Sequence, residues 1–156
     1  MCYTITRLYR PGHKHMIAAW PARRQRRLLV MPDRQPAPPI DAESLELLVE
    51  MIGPDEPAAV LDLLDTYLGD SARQVEDLQA AHAAGDLKNV HRIAHSMKSS
   101  SATFGALELS KYCERLEHAA KENCLNADCA RLLEDVRDEY ARVVVALTSE
   151  RERFLG

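Results

Sequence analysis

No proline follows Pro57, so residues 58–156 can form backbone helices along their whole length. Proline lacks a backbone N–H and its ring clashes with the preceding turn, which makes it the strongest interruption of a helix. Ala and Leu dominate the hydrophobic fraction of 46%, and aromatic residues make up only 5%. Because strands favour aromatic and β-branched residues, we expect an all-α fold. No apolar run approaches the ~20 residues that a membrane span needs, which excludes a membrane-spanning protein.

Charge and proline content divide the chain near Ile40. Residues 1–40 contain eight Lys or Arg and one acid, whereas residues 41–156 contain twelve Lys or Arg and 23 acids. Six of the eight prolines also lie before Ile40. A basic, proline-rich segment without a helical period cannot bury a core. We predict that residues 1–39 are a disordered basic arm with a proline-rich linker, and that residues 40–156 form the folded domain.

The basic arm has its highest charge density at residues 23–27, which could contact nucleic acid or an anionic membrane surface. Its apolar runs are too short for a secretory signal, and its prolines disfavour the helix of a transit peptide. We favour an arm without such a partner, so we expect neither nucleic-acid nor membrane binding. A further hypothesis is that translation begins at Met31, which would leave only linker before the domain.

Helix start and stop signals predict five helices in the domain. Asp41 is a suitable N-cap for a short first helix that stops at Gly53. Pro57 opens the second helix, where its missing N–H is tolerated. The remaining boundaries are glycines that end helices and short polar residues that cap them: Gly85, Asp86, Gly105 and Asn126.

Apolar residues recur at steps of three and four along the four long helices, which gives each helix one buried face. Short connections make consecutive helices antiparallel neighbours. The sequence therefore predicts an up-down antiparallel four-helix bundle with a short additional N-terminal helix packed across one end. The predicted inward positions, from the second helix to the fifth, are Val60, Leu64, Tyr67, Ser71, Val75, Leu78 and His82; Leu87, Val90, Ala94, Met97, Ser101 and Phe104; Ala106, Leu109, Cys113, Leu116 and Ala120; and Leu132, Val136, Tyr140, Val143 and Leu147.

The third helix places one histidine next to its buried face. That face passes through Ala94 and Met97, so His95 projects ~100° away from it and lies near the surface. Residues 86–106 contain three Lys or Arg and one acid, although the domain as a whole is acidic. The sequence thus predicts a small basic surface around one accessible imidazole.

Residues 94–106, with the sequence AHSMKSSSATFGA, resemble the signature of histidine-containing phosphotransfer (HPt) domains. That signature is Ala-His-x-Leu/Met-Lys-Gly, followed by small residues, an apolar residue and Gly-Ala. Residues 109–117 resemble the next helix of the family, and the resemblance extends from about Ile40 to the C-terminus. The family fold is the four-helix bundle that the periodicity predicts. Ser99 stands where the family usually has glycine, and we expect partner docking to tolerate its small hydroxymethyl group.

The resemblance implies that His95 accepts a phosphoryl group from the aspartyl phosphate of a receiver domain and passes it to another receiver. A neutral imidazole is a competent nucleophile toward an acyl phosphate. Lys98 and Arg92 lie three residues away on either side of His95 and could neutralise the added negative charge. The predicted partner-docking residues on the same helix are Lys88, His91, Ser99 and Ala102.

The resemblance also implies the partners. We expect response-regulator receiver domains and a hybrid sensor histidine kinase, with the phosphorylatable aspartate and Mg²⁺ on the receiver. The chain contains neither GxxxxGK[ST] nor GxGxxG, so we expect no ATP-binding kinase domain, no cofactor on this chain and no small-molecule substrate. We expect a cytoplasmic carrier that is a monomer.

Two other interpretations stay open. The domain could be a receiver-binding scaffold or phosphate sink in which His95 does no chemistry. It could also be a metal-binding helical bundle that uses His91, His95 and cysteines. The metal-binding interpretation is less favoured, because the four cysteines include no CxxC pair and Cys113 falls on a buried face. We therefore expect reduced thiols and no metal.

Overall fold

The computed structural model describes residues 37–53, 55–122 and 127–155. These residues form five helices and no strand, which confirms the all-α prediction. The greater part of the predicted basic arm, the hypothesis about Met31 and the predicted cap at Asn126 lie outside the described residues. The helices are α1 (Ala42–Ile52), α2 (Pro57–Ala83), α3 (Leu87–Thr103), α4 (Leu107–Lys121) and α5 (Ala127–Leu155).

The first three helices begin at the predicted residues. The Asp41 carboxylate accepts a hydrogen bond from the backbone N–H of Ser44 at 2.9 Å and caps α1. The Asp86 carboxylate accepts one from the backbone N–H of Asn89 at 3.1 Å and caps α3. Pro57 occupies the first turn of α2. Because the first backbone donors of a helix have no partner within the helix, such side chains determine where it starts.

The hydrophobic core lies between the long helices, on the faces that the periodicity predicts. Every predicted inward residue of α4 is buried, as are all those of α2 except His82. The predicted residues that lie only half-buried at the edge of the core are His82, Leu87, Leu132 and Tyr140. On the four long helices, the buried residues that the predicted faces omit are Ile93, Cys129 and Glu139. Ile93 is buried because α3 has a neighbouring helix on each side, which widens its buried face.

The four long helices form a closed ring. α3 packs against α2 on one side and against α4 on the other, and α5 packs against both α2 and α4. Helix α1 contacts α2 and α3. The predicted four-helix bundle with an additional short N-terminal helix is therefore confirmed.

Buried hydroxyl groups align three of these helices. The hydroxyls of Tyr67 on α2 and Ser101 on α3 lie 3.2 Å apart and form a hydrogen bond. Ser71 donates to the Tyr67 carbonyl at 2.6 Å, and its hydroxyl oxygen lies 3.4 Å from the hydroxyl of Tyr140 on α5. Burial raises the pKa of Tyr67 to about 12, so its phenol stays neutral. A buried hydroxyl without a partner is costly, so these bonds favour one alignment of α2, α3 and α5.

Gly105 forms the corner between α3 and α4 and touches the start of α1. Its φ is +73°, a backbone conformation that residues with a Cβ rarely adopt. Its carbonyl accepts a hydrogen bond from the backbone N–H of Asp41 at 2.9 Å. A Cβ at this position would lie 2.7 Å from the Asp41 carbonyl oxygen. The positive φ and the close approach to the Asp41 carbonyl both require glycine at position 105, near the end of residues 94–106.

We predict that Gly105→Ala lowers the free energy of unfolding by about 2 kcal/mol, because the substitution adds both backbone strain and a clash with Asp41. Urea titration followed by circular dichroism measures the change. Gly69→Ala is the matched control, since Gly69 is exposed within α2 and an added Cβ meets nothing within 4 Å. That control should gain about 1 kcal/mol from helix propensity. Equal stability of the two variants would contradict the role assigned to Gly105.

Candidate functional site

The exposed His95 imidazole lies on α3 at the boundary with α4. Its side chain is 60% exposed, and its Nδ1 lies 2.8 Å from Oε1 of Glu117 on α4. Because an ionised carboxylate only accepts hydrogen bonds, His95 donates through Nδ1–H. The neutral ring then has its lone pair on Nε2. The contact with Glu117 therefore determines which nitrogen of His95 is available to react.

Glu117 is the mostly buried member of the site, with 13% of its side chain exposed. Its second oxygen, Oε2, accepts a hydrogen bond from Lys98 Nζ at 2.7 Å. The Lys98 ammonium lowers the pKa of Glu117 to about 2 against the opposing effect of burial, and the hydrogen bond from His95 adds to the lowering. The same carboxylate raises the pKa of Lys98. Glu117 is thus an ionised acceptor with both oxygens in use.

A hydrogen bond between helices sets the register that places Glu117 opposite His95. The Ser110 hydroxyl on α4 donates to the backbone carbonyl of Lys98 on α3 at 2.9 Å. Glu117 follows Ser110 by seven residues, which is about two helical turns, so both face α3. Lys98 therefore contacts α4 twice, through its carbonyl and through its ammonium group.

The structure brings three of the predicted site residues together on Glu117: His95, Lys98 and His91. His91 Nε2 lies 3.7 Å from Glu117 Oε1, and the His91 ring is parallel to the His95 ring within 10°. Arg92 does not join this group, because its Nε donates to Asn89 Oδ1 at 3.3 Å.

The other predicted docking residues lie exposed on α3. Lys88 and Ala102 are exposed, and so is Ser99, whose hydroxyl donates to the His95 carbonyl at 3.3 Å. Within the described part of the chain, neither Lys88 nor Arg92 forms an ion pair. Both cations therefore remain available for a ligand or partner at this surface.

Sequence reasoning missed Glu117 as a functional residue. Its position contained a usable signal, because Glu117 lies four residues after Cys113 and three before Ala120, both of which are buried. An acid at the edge of a buried helix face requires a partner on the neighbouring helix. The identity of that partner depends on how α3 and α4 align, and no local pattern specifies that alignment.

The described residues give no support to a metal centre. In residues 37–53, 55–122 and 127–155, no group of three or more His, Cys, Asp or Glu side chains is placed to hold a metal ion. Burial raises the pKa of the Cys113 thiol to about 12, which keeps it protonated. None of the five helices is long and apolar enough to cross a bilayer.

The fold and the site together define a class of helical-bundle proteins that present an accessible histidine, held by a carboxylate of the next helix, on the outer face of a helix. Residues 62–146 match the family model of the Hpt domain. The chain therefore belongs to the Hpt domain family. The family was expected from residues 94–106, and the match confirms that expectation.

Named relatives agree with the family. Multistep phosphorelay regulator 1 of Schizosaccharomyces pombe is 33% identical over 79 residues, which are 51% of this chain and 27% of that protein. The match thus spans about a quarter of that relative. The phosphorelay protein LuxU of Vibrio harveyi is 30% identical over 107 residues, which are 65% of this chain and 91% of LuxU.

A solved structure shares the fold. The crystal structure of histidine-containing phosphotransfer protein B (HptB) from Pseudomonas aeruginosa PAO1 matches with a TM-score of 0.68 and 36% identity. The match covers 75% of this chain and 97% of HptB. The family and these relatives support a histidine phosphotransfer carrier that acts in a phosphorelay.

We predict that Lys98→Met raises the pKa of Glu117 from about 2 toward its ordinary value of 4.5, because the largest cause of the lowering is removed. A carboxyl with a depressed folded-state pKa stabilises the fold above pH 4.5, and this contribution is lost as the pH falls through about 2. The wild type should therefore lose its stability advantage over Lys98→Met between these two pH values.

Carbon-13 NMR titration of the Glu117 carboxyl measures this midpoint. Lys111→Met is the control, because Lys111 pairs with Glu108 on an exposed part of α4 and not with Glu117. An unchanged Glu117 midpoint in Lys98→Met would show that the ion pair seen in the structure does not persist in solution.

Proposed function

We propose that His95 is the phosphorylated residue of this phosphotransfer domain and that its Nε2 accepts the phosphoryl group. The hydrogen bond between His95 Nδ1 and the ionised Glu117 supports this proposal most directly. It leaves the Nε2 lone pair unprotonated on an imidazole that is 60% exposed to an approaching protein. A nucleophile needs both properties.

The reaction follows from this arrangement. The Nε2 lone pair of His95 attacks the phosphorus of an aspartyl phosphate, the new N–P bond forms, and the P–O bond to the aspartate breaks with its electrons on the carboxylate. The His95 ring keeps its Nδ1 proton and becomes cationic. Glu117 Oε1, 2.8 Å from Nδ1, stabilises that positive charge.

Lys98 acts on His95 through Glu117. Its ammonium is held by the Glu117 carboxylate at 2.7 Å, and this bond keeps the carboxylate ionised and oriented toward His95. The exposed cations Arg92 and Lys88 on the same helix then provide positive charge for the incoming phosphoryl group. This division of roles refines the expectation that Lys98 and Arg92 act alike.

The phosphorelay relatives imply receiver-domain and kinase partners for this domain. We propose a receiver of a hybrid sensor kinase as donor and a response-regulator receiver as acceptor, docked over His91, Ser99 and Ala102. The receiver supplies the aspartate and Mg²⁺, and this chain supplies no cofactor. We further propose that the protein works in the cytoplasm as a monomer.

A receiver domain phosphorylated with labelled phosphate should transfer its label to the purified full chain, and His95→Gln should receive none. The bond formed should be acid-labile and base-stable, as a phosphoramidate on histidine is and a serine phosphate is not. His118→Gln is the control, because His118 is exposed on α4 and the proposal gives it no role. If the wild type binds several receivers without gaining label, the scaffold or phosphate-sink interpretation replaces the carrier.

We predict that Glu117→Gln lowers the rate of phosphoryl transfer to His95 by about 10-fold to 100-fold, because a hydrogen bond to a charged group contributes roughly 1.5–3 kcal/mol. Glutamine preserves the side-chain size but removes the negative charge that stabilises the cationic ring. Rapid-quench measurement of the transfer rate tests this. Glu114→Gln, one turn earlier on α4 and exposed, should change the rate little. Equal rates in the two variants would remove Glu117 from the mechanism.

A further inference from the structure

One oxygen of Glu117 faces two imidazoles. Oε1 lies 2.8 Å from Nδ1 of His95 and 3.7 Å from Nε2 of His91. The other oxygen is bonded to Lys98, so Oε1 is the oxygen that both rings face. The two rings are parallel, with centroids 6.4 Å apart, because they lie one turn apart on α3.

We propose that His91 is a positioning residue whose protonation draws Glu117 away from His95 and thereby slows phosphoryl transfer at acid pH. This inference rests on the proposed function of His95. A protonated His91 is a strong donor, and a charge-assisted hydrogen bond closes to about 2.8 Å. Shortening the present 3.7 Å to that distance moves Oε1 toward His91 and weakens its bond to His95 Nδ1. The Nδ1–H tautomer of His95 then loses its support.

Glu117 is the acid that faces His91 from α4, and no other carboxylate in the described ranges comes within ion-pair distance of it. The side-chain hydrogen bond from α2 to this part of α3 joins two uncharged groups, Gln74 and Ser96. Helix α1 meets the opposite end of α3, at Gly105. The charged and titratable groups near His91 along α3 and near Glu117 along α4 are Asp86, Lys88, Arg92, His95 and Lys98, and Glu114, His118 and Lys121.

Histidine is the side chain whose charge ordinarily changes between pH 5 and 8. Ionisable groups that interact strongly lose their protons in coupled steps. Transfer then requires both rings to be unprotonated: His95 so that it can attack, and His91 so that Glu117 stays on His95. Acidification should therefore inhibit the carrier more steeply than the protonation of His95 alone.

The first test observes the His95 ring without any transfer reaction. Nitrogen-15 NMR of the full chain should show two steps in the titration of His95 Nδ1 in the wild type and one step in His91→Gln. His118→Gln should keep both steps, because the exposed His118 ring forms no ion pair with the Glu117 carboxylate within the described residues. A single step in the wild type, or two unchanged steps in His91→Gln, would overturn the proposal.

The second test is the acid side of the pH–rate profile, measured with a labelled receiver and with each rate divided by the same protein's rate at pH 8. The plot of log rate against pH should have a slope above one in the wild type and of one in His91→Gln. Equal slopes would overturn the role of His91 but leave His95 as the acceptor. Absence of label on wild-type His95 at every pH would instead refute the proposed function, which separates the two failures.

Discussion

The site depends on the two hydrogen bonds that the Glu117 carboxylate accepts. This carboxylate lies between α3 and α4, mostly buried, with Lys98 on one oxygen and His95 on the other. Burial alone would favour its neutral form, but the Lys98 ammonium outweighs that effect and keeps the carboxylate ionised. An ionised acceptor can bind only the N–H side of an imidazole. The electrostatics of a buried group thus determine the chemistry of an exposed one.

The alignment of α3 with α4 turns the fold into a site. Ser110 connects α4 to the Lys98 carbonyl, and Gly105 closes the turn between the two helices tightly enough for α1 to touch it. A slip of one residue along α4 would rotate Glu117 by ~100° away from α3. The residues after His95 therefore have two roles. The small side chains leave the imidazole accessible to a partner. The glycine at the turn allows the close packing of α3 and α4 that orients the imidazole.

The spacing of residues within each helix predicts most of the fold and the exposure of His95, but it does not predict the contact of His95 with Glu117. The caps at Asp41 and Asp86, the buried faces and the exposure of His95 all follow from residue spacing within one helix, where geometry is fixed by 3.6 residues per turn. Glu117 could not be predicted in this way, because its partner lies on another helix at a register that side-chain packing decides. The same reason explains why Lys98 was expected to face a phosphoryl group rather than an acid.

In the proposed reaction, the hydrogen bond that favours phosphorylation of His95 also favours its reversal. A phosphorylated imidazole that keeps its Nδ1 proton leaves as a neutral ring, whereas one without that proton would have to leave as an anion. By holding the proton on Nδ1, Glu117 keeps the ring in the form that serves both as nucleophile and as leaving group. The cationic ring also offsets one unit of the negative charge that the phosphoryl group adds. A carrier needs this balance, because a phosphoryl group that binds too stably to His95 could not be passed on.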